Sequence, residues 1–236
     1  MSLPLFYQEH IDTSQTIIEL SDESSRHIVQ VLRMKAGESL QLTDGNGHLI
    51  LAEITEAHKK KCVVSVCSSE KKIKPAKQIT IAISPVKNNA RFEWFLEKAT
   101  EIGVQQIVPL ICQRTEKQHF RFDRMKGILI SAMLQSKQFF LPKLLEPTSL
   151  ATFIQKDTAD TKLIAHCLEE KKQLLSQFSN AASVSIMIGP EGDFDRDEIE
   201  IALKSGYQPV SLGENRLRTE TAGMMAAAVL NLGVHQ

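Results

Sequence analysis

The sequence lacks the features that mark membrane, secreted and metal-binding proteins. No apolar run approaches the roughly 18 residues of a membrane-spanning helix. The N-terminal segment has neither the basic start nor the small-residue cleavage site of a secretory signal. The 4 cysteines form no CxxC pair, which argues against a zinc site and a disulfide framework. We therefore expect a cytoplasmic protein without membrane or metal partners, with reduced and buried cysteines.

Aromatic residues are scarce, at 6%, and the net charge is zero, but the charge is unevenly distributed. Residues 75–143 carry 11 Lys/Arg against 5 Asp/Glu, whereas residues 144–236 carry 8 against 13. The positive excess peaks in residues 114–126, where basic side chains alternate with Phe120 and Phe122. This mixture suits phosphates and stacked bases. It also describes a solvated loop whose two phenylalanines anchor it to the core.

A lysine-rich, proline-broken stretch at residues 68–78 divides the chain. Before it, alternating segments at 39–43, 48–55 and 62–66, with a turn at Asp44–Gly47, predict a β-meander. One helix is expected at Ser24–Met34, with Ile28, Val31 and Leu32 on one face. We interpret residues 1–70 as a small β-barrel domain.

After the linker, strand and helix patterns alternate, which predicts an α/β domain over residues 75–236. Such alternation is typical of a mainly parallel sheet with helices on both faces. The predicted strands are 79–83, 104–112, 161–167, 184–188 and 208–212. The predicted helices are 89–102, 123–140, 169–178, 196–205 and 221–232.

Two glycine-bearing turns, each after a predicted strand, are the strongest functional signals. The first is Ile188-Gly-Pro-Glu-Gly192, in which the glycines expose backbone groups and Glu191 could accept hydrogen bonds from ribose hydroxyls. By itself it could be an ordinary strand-to-helix turn, and it matches neither GxGxxG nor the P-loop. In open α/β sheets, however, turns at the ends of neighbouring strands form ligand sites.

The second turn, Leu212-Gly-Glu-Asn-Arg-Leu-Arg-Thr-Glu-Thr-Ala222, is more unusual. Arg216, Arg218 and Glu220 alternate through it, and Thr219 or Thr221 can cap the terminal helix. Each residue alone could be a surface or dipole-complementing charge. A tight turn, paired arginines and a helix start together favour a ligand site.

Other polar residues carry weaker signals. Lys87 and Arg91 stand at a strand-to-helix junction, where charge beside a ligand site is useful. The glutamates of the following helix, at four-residue spacing, indicate a solvated face. His166 closes a buried strand and has no activating partner in the pattern, so we interpret it as a core residue.

These motifs, taken in order, resemble the RsmE family of bacterial 16S ribosomal RNA uracil-N3 methyltransferases, which belong to the SPOUT class. The resemblance covers nearly the whole chain. It rests on Glu97-Lys-Ala-Thr-Glu-Ile-Gly-Val104, Gln135-Ser, both glycine turns, His27-Ile-Val-Gln-Val-Leu-Arg33, Gly37 and Asp44-Gly45. Three positions depart from the family pattern: Asp193 replaces a second glycine, Gln138 an arginine and Arg216 an aliphatic residue.

The resemblance implies a deep trefoil-knotted SPOUT domain, a PUA-like RNA-binding barrel, a homodimer and S-adenosylmethionine (SAM) as cofactor. The implied substrate is small-subunit ribosomal RNA, either naked or in the assembled subunit. The strand end at Ala165–Leu168 corresponds to the first knotted loop. The implied cofactor-binding residues are Ile188, Gly189, Pro190, Glu191, Gly192, Leu212, Gly213, Leu217, Arg218 and Thr219. The candidate RNA-binding residues are Arg33, Lys35, Arg114, Arg121 and Lys137.

The chemistry of uracil N3 methylation selects the catalytic candidates. The N3 proton must leave, and negative charge then spreads onto O2 and O4, where arginine donors stabilise it. We expect Arg218 to take this role first and Arg91 second. Glu220 is a possible base, but a carboxylate in the first helical turn favours its charged form.

Two other functions remain compatible with the sequence. One is a related knotted enzyme that methylates a ribose 2′-hydroxyl. The other is a non-catalytic RNA-binding or ribosome-assembly protein, which Asp193 and Gln138 keep open.

Overall fold

The computed structural model describes residues 3–12, 14–116, 120–169 and 171–232. It separates into two compact units. The first contains the chain up to Lys74 together with Met133–Leu141, and the second contains Pro75–Ala132 and the chain from Pro142 onward. Residues 133–141 therefore group with the first unit, although the sequence-based division assigns them to the second domain. Within the described residues, no helix combines the length and apolar character needed to span a bilayer.

The first unit is built on a five-stranded sheet with strand order β1-β3-β4-β5-β2. The β1–β3 pair is parallel and the other pairs are antiparallel. The alternation of apolar residues along β3 and β4 buries one face, as the meander predicts. The strands are β1 (Leu5–Tyr7), β2 (Ile17–Glu19), β3 (Ser39–Thr43), β4 (His48–Glu56) and β5 (Val63–Lys71).

The predicted turn at 44–47 joins β3 to β4. The Asp44 carboxylate accepts hydrogen bonds from the backbone amides of Asn46, at 2.8 Å, and His48, at 3.2 Å. Gly47 has a φ of 93°, and a Cβ there would lie 2.5 Å from the Phe140 ring. Glycine is therefore required both for the left-handed backbone and for the close approach of residue 140.

The expected helix at Ser24–Met34 is shorter and less regular than predicted. An α-helix, α1 (Asp22–Arg26), is followed by a π-helical turn over His27–Val31. Ile28 is fully buried, but Val31 is 67% exposed and Leu32 is 43% exposed. The predicted common face is therefore wrong, because the wider π turn changes the angular spacing on which it depended.

The second unit contains an eight-stranded sheet with the order β11-β13-β10-β12-β6-β7-β8, and β9 pairs with β7. Every pair is parallel, as predicted for the α/β domain. The strands are β6 (Gln78–Ile83), β7 (Gln106–Ile111), β8 (Lys143–Leu144), β9 (Thr148–Ser149), β10 (Thr161–Ala165), β11 (Gln173–Leu174), β12 (Ser183–Ile188) and β13 (Gln208–Ser211).

Helices cover this sheet. On one face, Phe153 and Ile199 of the helices α4 and α5 pack in a cluster with Ala82, Ile164 and Met187 of the strands. The helices α2 and α6 pack against each other, and α6 also contacts β6 and β12. The helices are α2 (Asn89–Ile102), α3 (Phe122–Gln135), α4 (Leu150–Lys156), α5 (Arg196–Lys204) and α6 (Thr219–Asn231).

Two predicted helices need correction. The chain at 173–178 forms the edge strand β11 and a short 3₁₀ helix, Leu175–Phe178, because its backbone pairs with β13. The helix predicted to reach Phe140 ends at Gln135, and Lys137 then takes a left-handed φ of 54°. Phe140 instead forms an isolated antiparallel β-bridge with Asn46.

The cysteines were predicted to be buried, and this is wrong for two of them. Cys62 and Cys112 are buried, whereas Cys67 and Cys167 are exposed. Cys167 lies in the loop that follows β10.

Candidate active site

A cleft of about 930 Å³ lies where β10, β12 and β13 end. These strands are neighbours and parallel, so the loops after them emerge at one edge of the sheet. The three loops are residues 166–168, 189–193 and 212–218, hereafter loops 1, 2 and 3. All ten predicted cofactor-binding residues line the cleft: Ile188, Gly189, Pro190, Glu191, Gly192, Leu212, Gly213, Leu217, Arg218 and Thr219.

Loop 2 is shaped by two residues with left-handed backbone. Gly192 has a φ of 100° and Asp193 a φ of 71°. The Asp193 amide donates to the Pro190 carbonyl at 3.0 Å and closes the turn. Gly189 packs tightly, since a Cβ there would lie 3.0 Å from the Phe194 ring. The glycines thus serve backbone conformation and close packing, as the motif predicts.

Loop 3 ends at the N-terminus of α6. Gly213 has a φ of 124°, and Arg218 precedes the helix in an extended conformation. The Thr219 hydroxyl donates to the Gly189 carbonyl at 3.0 Å, which ties loop 3 to loop 2. The two motifs that the sequence identified separately therefore form one site.

The two predicted catalytic arginines have different surroundings. Arg218 is exposed at the cleft, and among the described residues its guanidinium has no hydrogen-bond or ion-pair partner. Arg91 lies between two carboxylates: its Nη1 is 3.4 Å from Glu191 Oε1 and its Nε is 3.7 Å from Glu220 Oε1. Arg218 is thus available to a ligand, whereas Arg91 holds loop 2 near the start of α6.

Glu220 is almost completely buried, and its Oε2 accepts no hydrogen bond from the described residues. It occupies the first turn of α6, where the partial positive charge of the helix N-terminus favours a carboxylate. Its other oxygen faces Arg91. The Glu220 carboxylate is therefore placed to orient the Arg91 guanidinium.

Comparisons with known proteins match this architecture. Residues 73–231 match the RNA methyltransferase domain, and residues 20–67 match the RNA methyltransferase PUA domain. A Ribosomal RNA small subunit methyltransferase E from Rickettsia conorii is 29% identical, over 91% of this chain and 89% of that protein. The chain belongs to the RsmE family of RNA methyltransferases.

Solved structures agree with this membership in the RsmE family. A probable rRNA-methyltransferase from Porphyromonas gingivalis is 43% identical, with a TM-score of 0.91 over 98% of both chains. A Ribosomal RNA small subunit methyltransferase E from Neisseria gonorrhoeae, bound to S-adenosyl methionine, is 29% identical, with a TM-score of 0.87 over 98% of both chains.

The predicted RNA-side residues of this RsmE-family chain are divided between the two units. Arg33, Lys35 and Lys137 are exposed residues of the first unit. Arg121 is exposed in the second unit, next to the start of α3. Arg114 lines the cleft, where its Nη1 donates to the Gly192 carbonyl at 2.8 Å.

The basic segment around Phe120 and Phe122 is partly described, since residues 117–119 lie outside the described ranges. The centroid of the Phe120 ring lies 6.0 Å from the centroid of the Phe92 ring and 6.5 Å from that of the Phe122 ring. Phe92 is 2% exposed, so Phe120 contacts the core. This favours the interpretation of the phenylalanines as anchors of the loop.

Sequence reasoning missed two cleft residues that hold loop 1. The Lys172 ammonium donates to the carbonyls of His166 and Leu168, each at 2.6 Å. The Asp193 carboxylate accepts from the Cys167 amide at 2.8 Å. The contact of Asp193 with Cys167 had one signal in the sequence: residue 193 is an aspartate where the RsmE pattern has a glycine.

Proposed function

We propose that this protein transfers the methyl group of SAM to N3 of a specific uridine in 16S ribosomal RNA. The observation that carries the proposal is the joining of loops 2 and 3 into one cleft by the Thr219–Gly189 hydrogen bond, with Arg218 exposed beside it. Relatives that share the fold are named as rRNA methyltransferases, and one is solved with SAM.

The cleft fits SAM in size and chemistry. Its volume of about 930 Å³ accommodates a nucleoside cofactor, and polar backbone groups lie beside apolar side chains. We assign cofactor binding mainly to the backbone of Gly189–Gly192 and Leu212–Thr219. Leu212 and Leu217 would contact the apolar parts of the ligand. When bound, SAM supplies an electrophilic methyl group on a sulfonium centre.

Arg218 is assigned to the uracil. Its guanidinium has five N–H donors and is not engaged by the described residues. These donors stabilise the negative charge that develops on O2 and O4 as N3 loses its proton. Proximity and alignment of N3 with the methyl group supply the rest of the acceleration.

Arg91 is the second catalytic candidate, and its position is fixed by Glu191 and Glu220. Glu220 is not assigned as the base, because its side chain is buried and its Oε1 faces Arg91. We assign the N3 proton to solvent.

We also propose the finer architecture of the family: a SPOUT domain with a trefoil knot over residues 75–236 and a PUA-like barrel over residues 1–70. In the sheet of this proposed domain, β13 lies between β10 and β11, and the chain then returns to pack α6 against β6 and β12. Arg33, Lys35 and Lys137 are proposed phosphate contacts of the barrel unit, and Arg121 of the methyltransferase unit.

A homodimer in the cytoplasm is part of the proposal. The alanine- and methionine-rich helix α6 suits close packing between copies. Trp94 of α2 is 40% exposed and offers an apolar surface for a partner copy. The molecular mass in solution, measured by light scattering, tests this part. A monomer at micromolar concentration would refute it.

The function is tested by calorimetric titration with SAM, followed by transfer of a tritiated methyl group to small ribosomal subunits. We expect saturable SAM binding and label in the RNA. SAM binding without label would favour other substrates, and no SAM binding would favour the non-catalytic assembly protein. Naked 16S RNA in a parallel reaction identifies the preferred form of the substrate.

A further inference from the structure

Loop 1 (residues 166–168) is held from two directions. The Lys172 ammonium donates hydrogen bonds to the carbonyls of His166 and Leu168. The Asp193 carboxylate accepts a hydrogen bond from the amide of Cys167, which lies between them. All five residues line the cleft. A short loop whose donors and acceptors are occupied on both sides has few alternative conformations, so its position is fixed before any ligand binds.

The contact between Asp193 and Cys167 joins two loops of the cleft that are 26 residues apart in the chain. Its acceptor is a carboxylate oxygen, and charge-assisted hydrogen bonds to backbone amides are stronger than neutral ones. The bond is short, with the Cys167 nitrogen 2.8 Å from the Asp193 Oδ2. The bond therefore restrains loop 1 relative to loop 2.

The backbone of Asp193 is in a conformation that glycine adopts most easily. Its φ of 71° lies in the left-handed region, where a side chain is disfavoured. The neighbouring residues hold this conformation: Arg114 binds the Gly192 carbonyl at 2.8 Å and lies 3.0 Å from the Asp195 carboxylate. A glycine at 193 would relieve the strain but would lack the acceptor for Cys167.

We propose that Asp193 is a positioning residue for SAM. Its carboxylate fixes loop 1 against loop 2 and so preorganises the wall of the cofactor cleft. This rests on the proposed function, since it concerns the same cofactor. Asp193 acts through the Cys167 amide and the loop it fixes, and Lys172 completes the restraint from the other side.

Three substitutions separate the acceptor from the backbone effect. Asp193→Gly removes the acceptor and relieves the positive φ, so the variant folds. Asp193→Ala removes the acceptor and keeps the strain. Asp193→Asn keeps an acceptor oxygen and an αL-tolerant side chain. We expect SAM affinity, measured by calorimetry on the full chain, to fall about 5- to 30-fold in the Gly and Ala variants, because loop 1 is then no longer fixed before the cofactor binds. The Asn variant should stay within about threefold of the wild type, because it keeps the bond.

Two further readouts test positioning itself. In the ligand-free protein, hydrogen exchange at the Cys167 amide should accelerate in the Gly and Ala variants and stay protected in the Asn variant. In the transfer assay, the KM for SAM should rise while kcat stays within about twofold, because ground-state binding is lost. Wild-type exchange at Cys167 together with wild-type SAM affinity in Asp193→Gly would overturn the proposal. Failure of the wild type to bind SAM would refute the proposed function. The exchange measurement would still test whether the Asp193–Cys167 hydrogen bond fixes loop 1.

Discussion

The Thr219 hydroxyl donates a hydrogen bond to the carbonyl of Gly189 at 3.0 Å, although 30 residues separate them in the chain. Thr219 begins α6 and Gly189 begins loop 2, so the bond joins the two glycine-bearing motifs. Both residues are buried. A buried carbonyl that loses its donor is left without a partner, which makes this contact a point where the site and the stability of the second unit are coupled.

Removing this donor should destabilise the second unit. Thr219→Val conserves volume but leaves the Gly189 carbonyl unpaired, which should lower the free energy of unfolding by about 1–3 kcal/mol. Thr219→Ser keeps the hydroxyl, so its free energy of unfolding should fall by less than half as much as that of Thr219→Val. Urea unfolding followed by the fluorescence of Trp94, the only tryptophan, measures both variants. A loss of stability in Thr219→Ser with none in Thr219→Val would show that the methyl packing, rather than the bond, matters.

Arg218 should affect turnover far more than stability. Its side chain is exposed and has no partner among the described residues, so Arg218→Ala should leave unfolding unchanged. Methyl transfer should fall by roughly 10²- to 10³-fold, as for loss of one donor that stabilises a developing anion. Arg216→Ala is the matched control, because Arg216 lines the same cleft and is also exposed. Equal effects of the two substitutions would remove the special role of Arg218.

Arg91 and Glu220 should be energetically coupled. Arg91→Met leaves the buried Glu220 carboxylate without a nearby cation and should lower the free energy of unfolding by about 1–3 kcal/mol. In the Glu220→Gln background, Arg91→Met should lower the free energy of unfolding by less than about 0.5 kcal/mol. The exposed Glu191 should contribute little to the difference. A double-mutant cycle by chemical denaturation measures the coupling, and additive losses would contradict it.

The exposed cysteines provide a test of the cleft as the SAM site. Cys67 and Cys167 should react with a maleimide in the native protein, while the buried Cys62 and Cys112 stay unmodified. Because Cys167 lines the cleft, saturating S-adenosylhomocysteine should slow its modification several-fold. Cys67 belongs to the first unit and is the internal control. Peptide mass spectrometry reads each site, and unchanged labelling of Cys167 would place the ligand elsewhere.

Acid should weaken the turn of the first unit. Burial raises the pKa of Asp44, but hydrogen bonds from the His48 ring and from the amides of Asn46 and His48 outweigh it and hold the pKa below its ordinary value. Because the folded pKa lies below the unfolded value of about 3.9, the carboxylate contributes stability above pH 4 that is lost as the pH falls through the folded pKa.

The corresponding experiment compares wild type and Asp44→Asn by urea unfolding, followed by circular dichroism. The wild type should be more stable by about 1–2 kcal/mol at pH 7, and the difference should shrink below about pH 4. A difference that stays constant between pH 7 and pH 3 would contradict this interpretation of Asp44.

Local patterns predicted the elements of the fold whose signals are contained in one segment. The Asn88 cap and the left-handed Gly103 bound α2 at its predicted limits, and a capping box of Asp195 and Glu198 starts α5 where a helix was predicted. Strand β11 was missed because its conformation depends on pairing with β13, which no local pattern reports. The π turn after α1 also departs from the helical period on which the prediction relied.

For the site, the sequence located the residues but gave only part of their relationships. The glycine turns were recognisable because positive φ and tight packing demand glycine at specific positions. The contacts of Arg114 with Gly192 and of Asp193 with Cys167 span 78 and 26 residues, so only the folded chain brings them together. Arg114, a predicted RNA-side residue, binds the Gly192 carbonyl of loop 2 through its guanidinium.

The most direct test of the central claim is the identity of the methylated nucleoside. Small ribosomal subunits that lack the modification are incubated with the protein and SAM, and the digested RNA is analysed by mass spectrometry against nucleoside standards. The proposed function predicts N3-methyluridine, formed by the wild type and strongly reduced with Arg218→Ala. A 2′-O-methylated nucleoside, or no methylated product, would contradict it.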